Sequence, residues 1–428
     1  MNTQMNLDIT QKVEQLFSER FDLNGNIGRC YKSVKEIPSD ALQKITQEQS
    51  FWCSSEWLTY VEQIPEVQML YLVIEDCKGN LAGILPCQLV TNANGLLFYN
   101  IPRSLIEGGN FGNPDFLTLA QQEELKESQN EIQCQNLYPS LIAATPNSYC
   151  ALMVSPSISA NERQKIISAM VKFFECCAYQ LGSRVHGLFY IPEDLSTDMA
   201  RNLPDKYQKV RVGADTILPV RWKSFEEYLK IFNDHRRNTI RRERKKFINA
   251  GLDVKVLCGA EGLTDELIEL QLSIRSKYGH GGDLNQLRNS FIAMRENLAD
   301  RIRVFTAVCK GETLGFVLFF EYDNVLYSHV AGFDYEKLDK VFCYPNICFY
   351  EPLIYAIKQG ITRIHYGLSS YEGKVRRGCE LFDLGAYITL DTEYDDSLLK
   401  HIVNLMSYSE EQQLNYFRKM VVQSLKDY

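Results

Sequence analysis

The sequence predicts an α+β protein made of two similar halves. Three observations carry this. Short apolar runs of strand length alternate with amphipathic stretches along most of the chain. "YLVIEDCKGNLAGILPCQLV" and "VFTAVCKGETLGFVLFFEY" are visibly alike, each reading as two strands around a KGN or KGE turn. At 428 residues, the chain is too long for one ordinary core. Together these predict a duplicated α+β unit of about 180 residues.

The elements follow in order. Residues 1–28 are polar, with a helix expected over roughly 8–20. "SSEWLTYVEQ" reads as a helix opened by serine. "MLYLVIED", "LAGILPCQLV" and "GLLFYNI" read as strands, and the Gly-, Asn- and Gln-rich stretch 103–140 as loops. "PSLIAATP" and "YCALMV" read as strands, "NERQKIISAMVKFFECCAYQL" as a helix, then "RVHGLFYIP" and "ADTILPV" as strands. The second half opens with a long helix from about Ser224 to Ala250. Ser224 and Glu227 have capping-box spacing and Gly251 supplies the stop. "LDVKVL" is a strand, followed by two helices, "DELIELQLSIRSKY" and "LNQLRNSFIAMRENL". A three-strand meander comes next, over "RIRVFTAVCKG", "ETLGFVLFFEYD" and "NVLYSHVAGFD". Then come a helix near 347–359, the strands "ITRIHYGL" and "LGAYITL", and a helical tail.

Composition removes several function classes. The formal net charge is −8, so a general nucleic-acid coat protein is disfavoured and any anion binding must be local. The 13 cysteines show no zinc spacing, and most sit in apolar runs, where a reduced thiol behaves as a small hydrophobe. No metal site is expected. There is no signal-peptide core, and "LGFVLFF" is too short to span a membrane. These features predict a reducing, cytoplasmic setting. No GxxxxGK[ST] loop, GxSxG elbow or HExxH occurs.

The chemical signals lie in the second half. "HRRNTIRRERKK", residues 235–246, holds seven Arg or Lys and one Glu. Leu229, Phe232, Ile240 and Phe247 share a helical face, while Arg237, Arg241, Arg244 and Lys245 cluster on another. Like charges at this spacing repel, and arginine forks suit phosphate or carboxylate. The run therefore reads as an anion site or as a solvated face. "GLSSYEGKVRRGCE" gathers Tyr371, Glu372, Lys374, Arg376 and Arg377 between glycines after a strand, a usual place for a site and also the composition of a surface hairpin. In "VLYSHVAGFD", alternation puts Tyr327 and His329 on one face and Leu326, Ser328 and Val330 on the other. That face reads as a cleft lining or as a satisfied polar pair in the core. His365 and Tyr366 point to opposite faces, so at most one joins it.

"HRRNTIRRERKKFINAGLDVKV" resembles the Arg-x-x-Ile-Arg helix of Fem-type peptidyltransferases and their FemAB-like relatives, in the GNAT acyltransferase superfamily. "CFYEPLIYAIKQGITRIHYGLSSYEGKVRRGCEL" resembles their later signature, a helix and strand followed by Glu-x-Lys-x-x-Arg-Gly, here Glu372, Lys374, Arg377 and Gly378. The resemblance implies two tandem GNAT-like domains, each a mixed, largely antiparallel sheet flanked by helices. Residues 29–215 and 216–395 would be the domains, 1–28 a helical extension and 396–428 a helical tail. It implies transfer of an acyl or aminoacyl group onto an amine, in cell-wall precursor or small-molecule biosynthesis. The donor would be acyl-CoA or aminoacyl-tRNA, and the acceptor a small or phosphate-bearing amine. It places Lys374 in the substrate-phosphate region. The chain departs from the pattern at Pro352, which either starts the expected helix or kinks it, and it lacks the Q/R-x-x-G-x-G/A loop for coenzyme A.

Amide formation from an activated ester needs orientation, removal of one proton and an oxyanion site. His329 is the candidate for the proton, with Tyr327 or Glu372 as alternatives. Lys374, Arg377, Arg237, Arg241 and Tyr371 are the candidate substrate-binding residues. Lys374→Ala is expected to cost turnover and leave stability nearly unchanged. The competing expectation is a non-catalytic phosphate- or tRNA-binding protein on the same scaffold.

Overall fold

A computed structural model describes residues 2–47, 49–108, 112–147, 152–277, 283–338, 340–390 and 396–425. The chain divides into two units, Met1–Gly213 with Asp383–Leu414, and Ala214–Phe382 with Asn415–Tyr428.

In the first unit, helix α1 (Asn2–Ser18) leads into β1 (Phe21–Leu23), β2 (Asn26–Tyr31), β3 (Gln68–Glu75) and β4 (Leu81–Val90), an antiparallel run. β5 (Ser140–Ala143) and the two-residue β6 (Met153–Val154) both pair with β4. Helix α2 (Ala160–Leu181) then carries the chain to β7 (Val185–Pro192), parallel to β5. The apolar faces of β3 and β4 meet Met170, Phe173 and Phe174 of α2 in one core. Two expectations change here. "GLLFYNI" is not a strand but a 3₁₀ turn, Leu97–Tyr99, leading into a helix, Ile101–Glu107. Asn100 caps that helix by accepting from the Arg103 amide at 3.1 Å, and Pro102 sits in its first turn. Within the stretch read as loops, Leu119–Gln133 is a helix, opened by a Thr118–Gln121 capping box. Its apolar residues are too few for a period to show in sequence. The expected strand "YCALMV" is described only from Leu152 onward.

The first unit also takes a segment from far along the chain. Residues Leu384–Leu390 pair antiparallel with β7. In sequence they belong to the expected second domain, 216–395. A half-buried polar node lies beside β7. The Glu175 carboxylate accepts from Tyr207 and lies 3.0 Å from His186 Nε2 and 2.5 Å from Lys206 Nζ. Burial alone would raise the Glu175 pKa, but the hydrogen bonds from His186, Lys206 and Tyr207 outweigh it and hold it at about 2. A carboxyl depressed in the fold contributes stability above its unfolded pKa, and that contribution fades as pH falls toward the folded one. Glu175→Gln should therefore cost about 1–3 kcal/mol at neutral pH and progressively less from about pH 4.3 downward. Urea unfolding of both proteins at pH 7 and pH 3 measures this, and a pH-independent gap would refute it.

In the second unit, the end of β8 (Gln208–Pro219) pairs antiparallel with β13 (Arg363–His365). Between them in sequence lie β9 (Asp253–Cys258), β10 (Ile302–Cys309), β11 (Glu312–Tyr322) and β12 (Val325–Phe333), an antiparallel meander as expected. β12 and β13 run parallel. β14 (Glu380–Leu390) then supplies the strand that returns to β7. The expected long helix is two. The first, Phe225–Leu229, is opened by Ser224, whose hydroxyl accepts from the Glu227 amide at 3.1 Å. The second is α3 (Asp234–Asn249), opened by Asn233, which accepts from the Arg236 amide at 2.9 Å. Helices α4 (Asp265–Lys277) and α5 (Leu284–Leu298) lie on one face of the sheet, where Phe291 meets Phe316 and α4 crosses β12 at Gly332. On the other face, Ile240 and Phe247 of α3 and Leu353 and Ala356 of α6 (Glu351–Gln359) share a core with Phe305, Phe319 and Leu326. Pro352 sits in the first turn of α6, after a π-turn at Asn346–Tyr350. The chain ends in α7 (Asp396–Ser424). Among the described residues, no helix is long and apolar enough to cross a membrane.

Candidate functional site

The two basic segments meet in the second unit, through Arg377 of the expected residues and through Arg236 and Glu243 in place of Arg237 and Arg241. Arg236 Nε donates to the Arg376 carbonyl at 2.8 Å, and Arg377 Nη2 lies 3.2 Å from Glu243 Oε2. Tyr350 donates its hydroxyl to the same carboxylate. Arg236 Nη1 stands farther from Glu243, at 3.9 Å. The guanidinium of Arg377 also covers the Phe349 ring at 5.0 Å. All three charged groups are buried. Burial lowers the pKa of both arginines. For Arg377 the close Tyr350 and Glu243 oxygens reverse it, whereas the more distant Arg236 stays below its ordinary value. The node pins α3 to the segment "YEGKVRRG".

The residues singled out in sequence divide around this node. Arg237 pairs with Asp234, and the exposed Arg241 with the exposed Glu226 at 2.8 Å. Arg244 turns inward to Glu351 at 2.9 Å. Glu372 is exposed and paired with Arg376 at 2.8 Å. The Tyr371 ring is buried against Phe417, and its hydroxyl accepts from the Ala214 amide at 3.0 Å. Lys374 is buried, and its ammonium donates to three successive carbonyls, Tyr366 at 2.9 Å, Gly367 at 2.9 Å and Leu368 at 2.7 Å. Three donors thus meet three acceptors. Burial lowers its pKa to about 8, against the pull of Cys379 and Asp215. The expectation that removing Lys374 leaves stability unchanged gives way, because each of these carbonyls would lose a donor in a buried place.

Tyr327 and His365 lie side by side on β12 and β13, in register and with ring centroids 5.2 Å apart. His365 Nε2 is 2.5 Å from Asp215 Oδ2 on β8. Tyr366 turns to the opposite face and donates to the Cys348 carbonyl at 2.9 Å, so only His365 joins Tyr327, as alternation required. β12 carries a bulge, since Leu318 faces Val330 while Phe319 faces Ser328, leaving His329 as the extra residue. The bulge corrects the expected faces. Val330, in register with Leu318, lies on the side of Phe320 and its partner Tyr327. The His329 ring reaches the same side, 5.2 Å from Phe320. His329 is partly exposed, yet the crowding around it lowers its pKa to about 4, so it is neutral at physiological pH. The bulge falls where the pairing with β13 ends, at Tyr327 with His365. Beyond it, among the described residues, β12 has no strand partner on that side. The backbone from Ser328 to Val330 is therefore kinked, and β13 does not continue alongside it.

Asp215, Arg236, Glu243 and Tyr350 are the participants the sequence reading passed over. Two were within reach. Arg236, Ile240, Glu243 and Phe247 share one helical stripe, and the apolar pair fixes which charges turn inward.

The model of the FemAB-like family, described as peptidoglycan biosynthesis/recognition, matches residues 127–421. No curated protein matches the chain. Among solved structures, FemX is similar at TM-score 0.52 and 10% identity, over 83% of this chain and 97% of that one. A conserved protein of unknown function from Bacteroides thetaiotaomicron VPI-5482 is similar at TM-score 0.50 and 8% identity, over 85% and 99%. A tandem GNAT protein from the clavulanic acid biosynthesis pathway matches at TM-score 0.47 and 8% identity, over 86% and 100%. At these identities the likeness to FemX and to the Bacteroides protein concerns the fold alone, two α+β units with mixed, largely antiparallel sheets.

Proposed function

The chain belongs to the FemAB-like family, and from that premise we propose that it is an N-acyltransferase. It would move an acyl or aminoacyl group from an activated ester or thioester onto an amine. The carbonyl carbon forms a C–N bond, its C–O or C–S bond breaks, and the amine loses a proton. The observation that carries this reading is the bulge at His329, where β12 parts from β13. A backbone amide at that bulge would donate to the oxyanion of a tetrahedral intermediate. His329, neutral at physiological pH, can accept the amine proton beside Tyr327. The donor we propose is aminoacyl-tRNA or acyl-CoA, and the acceptor an amine on a phosphate-bearing precursor, in accord with the family's peptidoglycan description. Both donors place the reaction in the cytoplasm.

The test is incubation with each donor class and a panel of amine acceptors, reading amide products by mass. With a productive pair, His329→Ala should lower kcat by about 10²-fold or more. Once protonation of the acceptor amine is divided out, the remaining acid limb of kcat should fall near pH 4 rather than near 6.5, given the lowered pKa of His329. A remaining limb at 6 to 7 after that division would take His329 out of this role. The exposed Arg242, Lys245 and Lys246 on α3 favour a second reading, a tRNA- or phosphate-binding protein without catalysis. Steeply salt-dependent tRNA affinity with no product from any pair would select it.

A further inference from the structure

We infer that Lys374 is a positioning residue, an ammonium latch that holds the turn after His365 and sets where β13 parts from β12. Its consequence for catalysis rests on the reading above, while the turn itself can be measured without substrate. β13 stops at His365, and the next three carbonyls, those of Tyr366, Gly367 and Leu368, all lie within 2.9 Å of Lys374 Nζ. Carbonyl dipoles from consecutive residues do not converge on one point without a cation or several donors between them. The backbone here is unusual in other ways. Gly367, Ser369 and Ser370 have φ values of 70°, 60° and 50°. Left-handed serines are costly and persist where their surroundings over-determine them.

Thr216 secures the same turn from β8. Its hydroxyl donates to the Gly367 carbonyl, and its own carbonyl accepts from the Tyr366 amide at 2.8 Å. Asp215, the neighbour of Thr216, holds His365. One latch thus fixes the path of β13 as it leaves β12, and with it the imidazole beside Tyr327. This assigns Lys374 to the architecture of the site rather than to a substrate phosphate, since a phosphate would have to displace a carbonyl to reach the ammonium.

Hydrogen–deuterium exchange over residues 363–370 tests the latch. Lys374→Ala should speed exchange there by at least about tenfold, the effect of losing about 1.4 kcal/mol of local protection. Methylammonium chloride should restore protection in that variant, because it returns an N–H donor cation to the three carbonyls. Tetramethylammonium, with no N–H, should not. Lys374→Met, which keeps the stem and fills the space, should loosen the turn with no rescue by either ion, and serves if the alanine variant does not fold. Unchanged exchange in both variants, or a loosened Lys374→Ala turn that methylammonium fails to protect better than tetramethylammonium, would overturn the inference. Neither result bears on whether the protein transfers acyl groups.

Discussion

Glu243→Ala should destabilise the second unit by about 3–5 kcal/mol, the cost of removing one partner from a buried ion cluster. The carboxylate is the only acid in contact with two buried guanidinium groups among the described residues, and it also accepts from Tyr350. Its loss strands Arg377 beside a tyrosine hydroxyl with no acceptor. The charge is what matters, so Glu243→Gln, which keeps the shape, should recover little. Thermal and urea unfolding read the stability. Limited proteolysis should find new cleavage within α3, whose grip on "YEGKVRRG" runs through this node. A loss below 1 kcal/mol would mean that the cluster is not the tie described. Replacing Arg236, Glu243 and Arg377 together with apolar residues of similar volume should cost much less than Glu243→Ala, because no charge is then left unpaired.

Gly332→Ala should be nearly as severe. A Cβ at that position would stand 2.4 Å from Phe316 Cε1, 2.6 Å from the Leu270 carbonyl carbon and 2.7 Å from the Gln271 nitrogen. Two of those atoms are backbone of α4, which cannot turn aside as a side chain can. Either the helix lifts or β12 shifts, and a loss of about 3 kcal/mol follows from overpacking of this kind. Because Gly332 lies three residues beyond the bulge, activity should fall with stability. Gly373→Ala is the control. Its nearest contact would be Arg377 Nη1 at 3.9 Å, so the change should stay within about 0.5 kcal/mol. Equal melting temperatures for Gly332→Ala and wild type would contradict the close crossing.

The sheet meanders were legible because apolar runs punctuated by KGN and KGE leave little alternative. The two halves were legible for the same reason. The bulge was not. Alternation places Tyr327 and His329 together, as found, but no local signal tells that Val330 joins them on that side. The two similar tripeptides "RVH" and "RIH" show the same limit. Each follows a helix closed by a left-handed glycine, Gly182 or Gly360. His186 lies four residues past its glycine and turns to the helix side, against Glu175. His365 lies five past its own and turns away from the core that holds Tyr366. One residue in a loop reverses a strand's faces. In the basic helix the phase was readable from Ile240 and Phe247. What the run could not show was that Glu243, its lone acid, is the residue two arginines depend on.

The return of β14 to β7 has a consequence for biosynthesis. The first unit has its helix α2 and most of its sheet by residue 192, yet the second partner of β7 is not translated until residues 384–390. Gly112 waits longer, for the carboxylate of Glu410 that accepts its amide at 3.2 Å. On the ribosome, the second unit's whole meander emerges while β7 still presents an unpaired edge. Such an edge is open to wrong partners. Residues 384–390 therefore act as a closing strand, and the first-begun unit is not completed until nearly all of the second has been made.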